Sequence, residues 1–363
     1  MRTWLLAVAA LAGCGGSSAP VPKTEQELGR ALFLDPALSE PAGQACADCH
    51  APEMAFSDPE DERSSAGVHR DRFGIRNAQT AMYASFAPPL RRDAAGRYTG
   101  GLFWDGRANT LGDQAALPLL NPLEMNNPSK ERVVEKVRRG HARAFRNLYG
   151  RDALGDVETG FANVARALAA FEGTPAFAPF SSRYDRYLAG QATLTAQEKR
   201  GLAVFEDPAR GNCASCHPSR PRDGGAPPLF TDFSYANLGI PKWKNSAFYH
   251  LPSELNPEGQ DFVDRGLGKT TNDPAQDGKF RVPTLRNVAR TFPYGHNGYF
   301  QTLREVLEFL VSRKIVPCGQ VAEPSCTAAE VPANVEPWVG HLPLTGEDIN
   351  DLLAFLETLS DAP

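Results

Sequence analysis

Methionine is scarce in this 363-residue chain: there are four, and none follows Met125. Nothing beyond that point can offer a thioether to a metal. An excess of positive charge is also missing. Lys and Arg number 38 against 43 Asp and Glu, a net charge of −5, which argues against a nucleic-acid surface. After the first residues no run is apolar and long enough to span a bilayer. Strand signals are few. What remains is the composition of a soluble globular protein, 42% hydrophobic and 22% charged, with length for two domains of ordinary size.

Cysteine is used sparingly, and its spacing is informative. Of seven Cys, four fall in two C-x-x-C-H sequences, Cys46-Ala47-Asp48-Cys49-His50 and Cys213-Ala214-Ser215-Cys216-His217. Two thiols and an imidazole so spaced attach c-type haem: the thiols add to the haem vinyls, and the turn between them aims the His at iron as its proximal ligand. A zinc site would want four converging ligands at each copy. A thioredoxin-like pair would need no His after the second Cys. Two copies imply two covalently bound haem c groups in one polypeptide, ligated by His50 and His217.

The start of the chain carries Arg2, an apolar stretch from Trp4 to Ala12, and Leu11-Ala12-Gly13-Cys14. This is similar to a bacterial lipoprotein signal over 1–13, with Cys14 lipidated and 14–22 a flexible tether; the alternative is an ordinary cleaved signal that discards Cys14. Either way the chain is exported, and the expected place is the periplasm, held to a bacterial membrane, the outer one, by lipid alone. The remaining pair, Cys318 and Cys326, would in an oxidising compartment form a disulfide closing a Pro-rich loop, or else stay two bare thiols.

Capping boxes and apolar spacing predict helices over 24–34, 195–206, 302–312 and 345–359, and apolar spacing alone predicts helices over 132–140 and 157–173. The segments 52–101 and 218–283 are rich in loop residues and suited to wrapping a cofactor. The expected class is mainly α: two cytochrome c-like haem domains, 23–180 and 181–363, with long cofactor-wrapping loops and few strands.

Between the haem motifs lie Phe103-Trp104-Asp105-Gly106-Arg107, Gln114 and Asn121-Pro122-Leu123-Glu124-Met125. With Arg76-Asn77, Val282-Pro283-Thr284-Leu285-Arg286-Asn287 and Pro293-Tyr294-Gly295-His296-Asn297-Gly298, the chain resembles the bacterial dihaem cytochrome c peroxidase and MauG superfamily over nearly all its mature length. The resemblance implies that hydrogen peroxide is reduced at the N-terminal haem, with Glu124 as the proton-moving group, Gln114 as a hydrogen-bond partner of bound oxygen, and Trp104 as the electron relay between haems. Asn77 with the carbonyls of Thr291 and Pro293 matches the family's inter-haem calcium site, which suits hard oxygen ligands. Classical relatives tend to be homodimers, and their electrons come from an exported donor protein. Without the family, Glu124 reads as a surface acid, Gln114 as a helix residue, Trp104 as core and Asn77 as loop structure.

Two positions depart from the pattern. His69 stands where classical members carry a His that caps the peroxidatic iron, yet the loop around it matches poorly and a surface role is the alternative. The sixth ligand of the second haem, Met or Tyr in the family, falls on Leu310, which cannot bind iron. His341, His296, His250 or a nearby Tyr are the replacements on offer. Losing sulfur ligation lowers an iron's potential, which suits storing oxidising equivalents. The resemblance thus extends to MauG-like enzymes, including methanobactin-associated members that oxidise an aromatic residue of a partner protein, for which Trp243 and Trp338 are candidate surface relays. A third reading, a plain dihaem electron carrier, has no use for Glu124 with Gln114.

Overall fold

A computed structural model describes residues 20–60, 63–313 and 328–362. Cys14, Cys318 and Cys326, and with them the expected lipidation and disulfide, lie outside the described residues. The helices are α1 (Glu25–Phe33), α2 (Leu111–Leu120), α3 (Lys130–Gly140), α4 (Ala142–Tyr149), α5 (Val157–Glu172), α6 (Arg183–Leu188), α7 (Ala196–Glu206), α8 (Leu267–Thr271), α9 (Leu303–Ser312) and α10 (Gly346–Glu357). Among the described residues strands are confined to two antiparallel pairs, β1 (Arg91–Arg92) with β2 (Tyr98–Thr99) and β3 (Tyr235–Ala236) with β4 (Phe280–Arg281). No helix among the described residues is long and apolar enough to cross a membrane.

The expected helices form where local signals are strong. Thr24 with Glu27, Thr195 with Glu198, Thr302 with Glu305 and Thr345 with Asp348 each close a reciprocal capping box, satisfying two otherwise orphaned amide donors. Sequence reasoning missed α2, whose Pro118 lies inside the helix and reads as a breaker. It also missed α4, α6 and α8. The short α6 falls just past the expected domain boundary at 180/181, where its Ser182 and Asp185 form one more capping box.

The same arrangement occurs twice. Before the first haem loop α1 crosses α5, and before the second α7 crosses α10. Both crossings require glycine: a Cβ on Gly29 would sit 1.9 Å from the Ala167 carbonyl oxygen, and one on Gly201 would sit 2.0 Å from that of Asp351. One apolar cluster gathers Leu28, Leu32, Phe33, Val134, Phe145 and Leu168. A second gathers Tyr184, Phe205, Phe230, Leu352, Phe355 and Leu356. The long segments between these helices carry the two haem loops and meet at the junction.

That junction is polar and buried. Arg286, with no side-chain exposure, binds Asp185 through both terminal nitrogens at 2.9 and 2.7 Å and donates Nε–H to the Pro228 carbonyl at 2.7 Å. Its guanidinium lies over the rings of Tyr83 and Phe180 at 4.9 and 4.6 Å. Next to it, Asn287 and the Tyr83 hydroxyl both donate to Asp361, at 2.8 and 2.6 Å. The motif residues Arg286 and Asn287 thus clamp elements from both halves of the chain.

Candidate functional site

The two C-x-x-C-H loops are built alike. Cys46–Asp48 and Cys213–Ser215 each form one tight helical turn, and the His amide returns to the first Cys carbonyl, at 3.0 Å in His50 and 2.9 Å in His217. His50 Nδ1 lies 3.0 Å from the Phe56 carbonyl oxygen, and His217 Nδ1 lies 2.8 Å from that of Phe230. An Nδ1–H donated to a carbonyl fixes the tautomer and leaves the Nε2 lone pair for a metal. Burial holds both imidazoles below the usual histidine range, so they stay neutral, as a ligand must. Phe56 and Phe230 adopt left-handed backbone, φ 54° and 52°, a conformation that costs a bulky residue about 1–3 kcal/mol. Their rings sit in the two cores, which hold them there. No sequence signal pointed to these two residues, because their contribution is a backbone carbonyl.

The four thiols of the loops are free, and burial raises the pKa of each. A thiolate-based redox pair would want the opposite shift. Among the described residues no group of three or more His, Cys, Asp or Glu could hold a metal ion, which also disfavours zinc. The neutral, oriented imidazoles and neighbouring thiols fit haem c.

The second loop opens on a cavity of about 530 Å³ bordered by Cys213, Cys216 and His217. Leu310 lines it, as do Tyr294, His296 and His341; His250 is not among its lining residues and is exposed. His296 is buried with neither ring nitrogen hydrogen-bonded among the described residues. Its ring stacks on Phe280 at 3.6 Å, and its Nε2 is 3.9 Å from Glu330. The Tyr294 hydroxyl donates to the Val288 carbonyl at 2.8 Å.

Trp104 borders the same cavity, and its Nε1–H donates to the Asn77 carbonyl at 3.0 Å. The Trp104 carbonyl accepts from the Arg281 amide at 2.8 Å, so the indole is gripped from both halves of the chain. Arg76 holds the neighbouring Asp105 at 2.7 Å and takes Asp264 by two bonds, at 2.7 and 2.8 Å. Burial pushes Asp264 up, but Arg76 outweighs it and keeps the carboxyl well below the usual carboxylate range. This ion cluster was not read from the sequence, since its members lie far apart along the chain.

Glu124 sits in the turn that follows α2 and folds back on it, with the Met125 amide donating to the Pro118 carbonyl at 3.2 Å. Its carboxyl pKa is raised by burial, against smaller lowering effects of Arg107 and of the Asn121 side-chain amide, which donates to it at 2.8 Å. The Cys49 thiol is pushed up to about 12 by burial, then by the charges of Asp58 and, less, Glu124. Glu124 is thus placed beside the first haem loop. Gln114 lies on α2, half-buried, its side chain without a hydrogen-bond partner among the described residues. The segment of His69 pairs with this turn, the Val68 amide donating to the Glu124 carbonyl at 2.9 Å. His69 Nε2 faces the Asn126 amide nitrogen at 3.2 Å, so Nε2 is engaged as an acceptor and an iron bond through it would require that contact to break.

Asn77, Thr291 and Pro293 come together at the junction and border the cavity. Asn77 Nδ2 donates to the Pro293 carbonyl at 2.6 Å. A cation between them would need the amide turned over so that Oδ1 faces it.

Glu172, at the end of α5, was not singled out in the sequence. It is buried, has no hydrogen-bond or ion-pair partner among the described residues, and desolvation raises its pKa to about 8. The native state then keeps a proton that the unfolded chain releases above its ordinary value of 4.5. Stability should therefore fall as pH rises from 4.5 to 8, by up to about 1.4 kcal/mol per pH unit. Urea midpoints at pH 5 and pH 8 should differ less in Glu172→Gln than in wild type; equal differences would remove this assignment.

The family described as di-haem cytochrome c peroxidase matches residues 23–193. The chain is 39% identical to the methylamine utilization protein MauG of Paracoccus denitrificans, over 96% of this chain and 92% of that protein. It superposes on the diheme peroxidase BthA from Burkholderia thailandensis with a TM-score of 0.81 and 35% identity, covering 94% of this chain and 87% of the other. A MauG-like protein associated with microbial copper homeostasis matches with a TM-score of 0.69 and 30% identity, over 94% of this chain and 91% of that one.

Proposed function

The chain belongs to the dihaem cytochrome c peroxidase and MauG family of haem-dependent oxidoreductases, and on that premise we propose that it reduces hydrogen peroxide at a haem held by Cys46, Cys49 and His50. Bound haem supplies the redox chemistry, the two-electron reduction of peroxide to water. Cys213, Cys216 and His217 would hold a second haem, and Trp104 would relay electrons between the two groups.

The observation that carries this reading is the placement of the Glu124 carboxyl beside the first haem loop. Glu124 lies near Cys49, with its pKa raised by burial. It accepts a proton from the near oxygen of peroxide and returns it to the far one, so that water can leave. The Asn121 amide orients this carboxyl at 2.8 Å, and Gln114 would donate a hydrogen bond to the peroxide. Trp104 is positioned by the Asn77 carbonyl and the Arg281 amide. His69 caps the first iron in the resting protein only if it leaves Asn126. The test is stopped-flow absorbance with hydrogen peroxide: a fast Soret change supports the reading, whereas slow bleaching alone would make the chain a plain electron carrier.

A second reading is favoured by Leu310 in the second cavity. With no thioether or phenol at that position, the equivalents are spent on an aromatic residue of a partner protein instead of being discharged by electrons from a donor cytochrome. Rapid consumption of added reduced cytochrome c selects the first reading, and its absence selects the second.

Calcium at Asn77, Thr291 and Pro293 belongs to the same proposal. Such an ion would tie the Trp104 anchor to the 291–293 segment and fix the spacing between haems. Removing it with a chelator should slow electron sharing between haems by about tenfold without releasing covalent haem, and added calcium should restore the rate. An unchanged rate in calcium-depleted protein would argue for loop structure alone. Export to the periplasm, anchoring through Cys14, a Cys318–Cys326 disulfide, a division into domains at 180 and 181, and a homodimer complete the reading.

A further inference from the structure

We propose that Trp338 is the port through which electrons pass between a partner protein and the second haem cavity. This rests on the peroxide-driven chemistry above and deepens it by locating where the oxidising equivalents leave the molecule. Trp338 is 39% exposed and at the same time borders the cavity that holds Cys213, Cys216 and His217. It is the one tryptophan among the described residues to reach that exposure, since Trp104 and Trp243 are half-buried.

The exposure is built in. The Glu336 amide donates to the Asn237 carbonyl at 2.9 Å, and the amides of Val339 and His341 close the turn on Glu336 and Trp338, each at 3.1 Å. The turn is then fastened to α9, because the amides of Gly340 and Leu342 both donate to the Leu310 carbonyl, at 2.8 and 3.3 Å. The indole is thereby mounted on the residue that stands where the family carries its sixth ligand. A residue with a large oxidisable π-system that both borders the cavity and meets water suits passing single electrons to a docked surface.

The obvious competitor is electrostatically unsuited. The Arg63 guanidinium lies 3.8 Å over the Trp243 ring, and the same cation is anchored to the Gly298 carbonyl. A fixed cation on the π-face stabilises the neutral indole and opposes the positive charge that one-electron oxidation would put there. Among the described residues Trp338 has no cation so placed.

The electron balance closes. Reduction of one peroxide takes two electrons and two protons and gives two waters. Trp338 gives up one electron at a time, its N–H proton passing to water, and is restored by an electron from a one-electron donor on the partner, either a haem or an aromatic side chain, with the proton returning from water. Without a partner, Trp338 itself loses two electrons and takes up water, so that peroxide and indole become water and hydroxytryptophan.

The test uses the full-length holoprotein and stoichiometric hydrogen peroxide with no reductant, followed by peptide mapping by mass spectrometry. One added oxygen atom on Trp338, well ahead of Trp243, is expected, and the peroxide-induced Soret change should persist about tenfold longer in Trp338→Phe and be unaltered in Trp243→Phe. Reduced cytochrome c oxidised by wild type and about tenfold more slowly by Trp338→Phe identifies a haem donor. Cytochrome left untouched while Trp338 is oxidised identifies a side-chain donor. A normal Soret change with Trp338 unmodified, or an unchanged lifetime in Trp338→Phe, overturns the port alone. No Soret change in wild type overturns the peroxide chemistry and the port with it.

Discussion

Replacing Glu124 with glutamine is expected to slow the reaction with hydrogen peroxide by about 10²- to 10⁴-fold, the usual worth of a positioned acid-base group. Glutamine keeps the shape and can still meet the Asn121 amide, but it cannot accept and return a proton. The pH profile offers a second reading of the same residue. Burial raises the Glu124 pKa above its ordinary 4.5, so the competent carboxylate is lost as pH falls through a value above the usual carboxylate range. The wild-type second-order rate constant should therefore decline on acidification with an inflection displaced upward, and Glu124→Gln should lack that inflection. Wild-type rates in the variant, measured by stopped flow, would refute the assignment.

Replacing Arg286 with methionine is expected to cost about 3–5 kcal/mol, because it leaves the carboxylate of Asp185 buried and unpaired. That is a large part of a typical domain's stability. In the native protein burial raises the Asp185 pKa, but the Arg286 bonds outweigh it and hold the carboxyl below its ordinary value of 3.8. Its contribution is therefore present above that value and lost as pH falls through the lower, folded one. The gap between wild type and Arg286→Met should accordingly shrink in acid. Urea unfolding at pH 7 and near pH 3 measures it, and adding Asp185→Asn to the variant should recover part of the loss. A cost below about 1 kcal/mol at pH 7, no larger than that of an exposed pair, would show that the clamp contributes little.

Legibility followed the range of the interaction. Capping boxes such as Thr345 with Asp348 and the C-x-x-C-H turns are written in consecutive residues, so the helices and the haem loops could be read directly. The carboxyl, amide and indole at 124, 114 and 104 were legible through resemblance, since no local rule marks a glutamate as buried. Helix α2, which positions two of them, was hidden by Pro118. The glycine crossings at 29 and 201 could not be read, because the carbonyls they accommodate belong to helices far along the chain.

The amino-acid sequence by itself determined the chemistry available to this protein: two haem attachment loops, no thioether beyond Met125, and leucine at position 310. Only the tertiary structure decided the electrostatics and the access. It selected which carbonyls hold His50 and His217, seated Arg63 on Trp243, and left Trp338 both in water and at the cavity wall. The physical reason is that attachment depends on covalent spacing along a few residues. Burial, charge pairing and exposure depend on segments that meet only when the chain has folded.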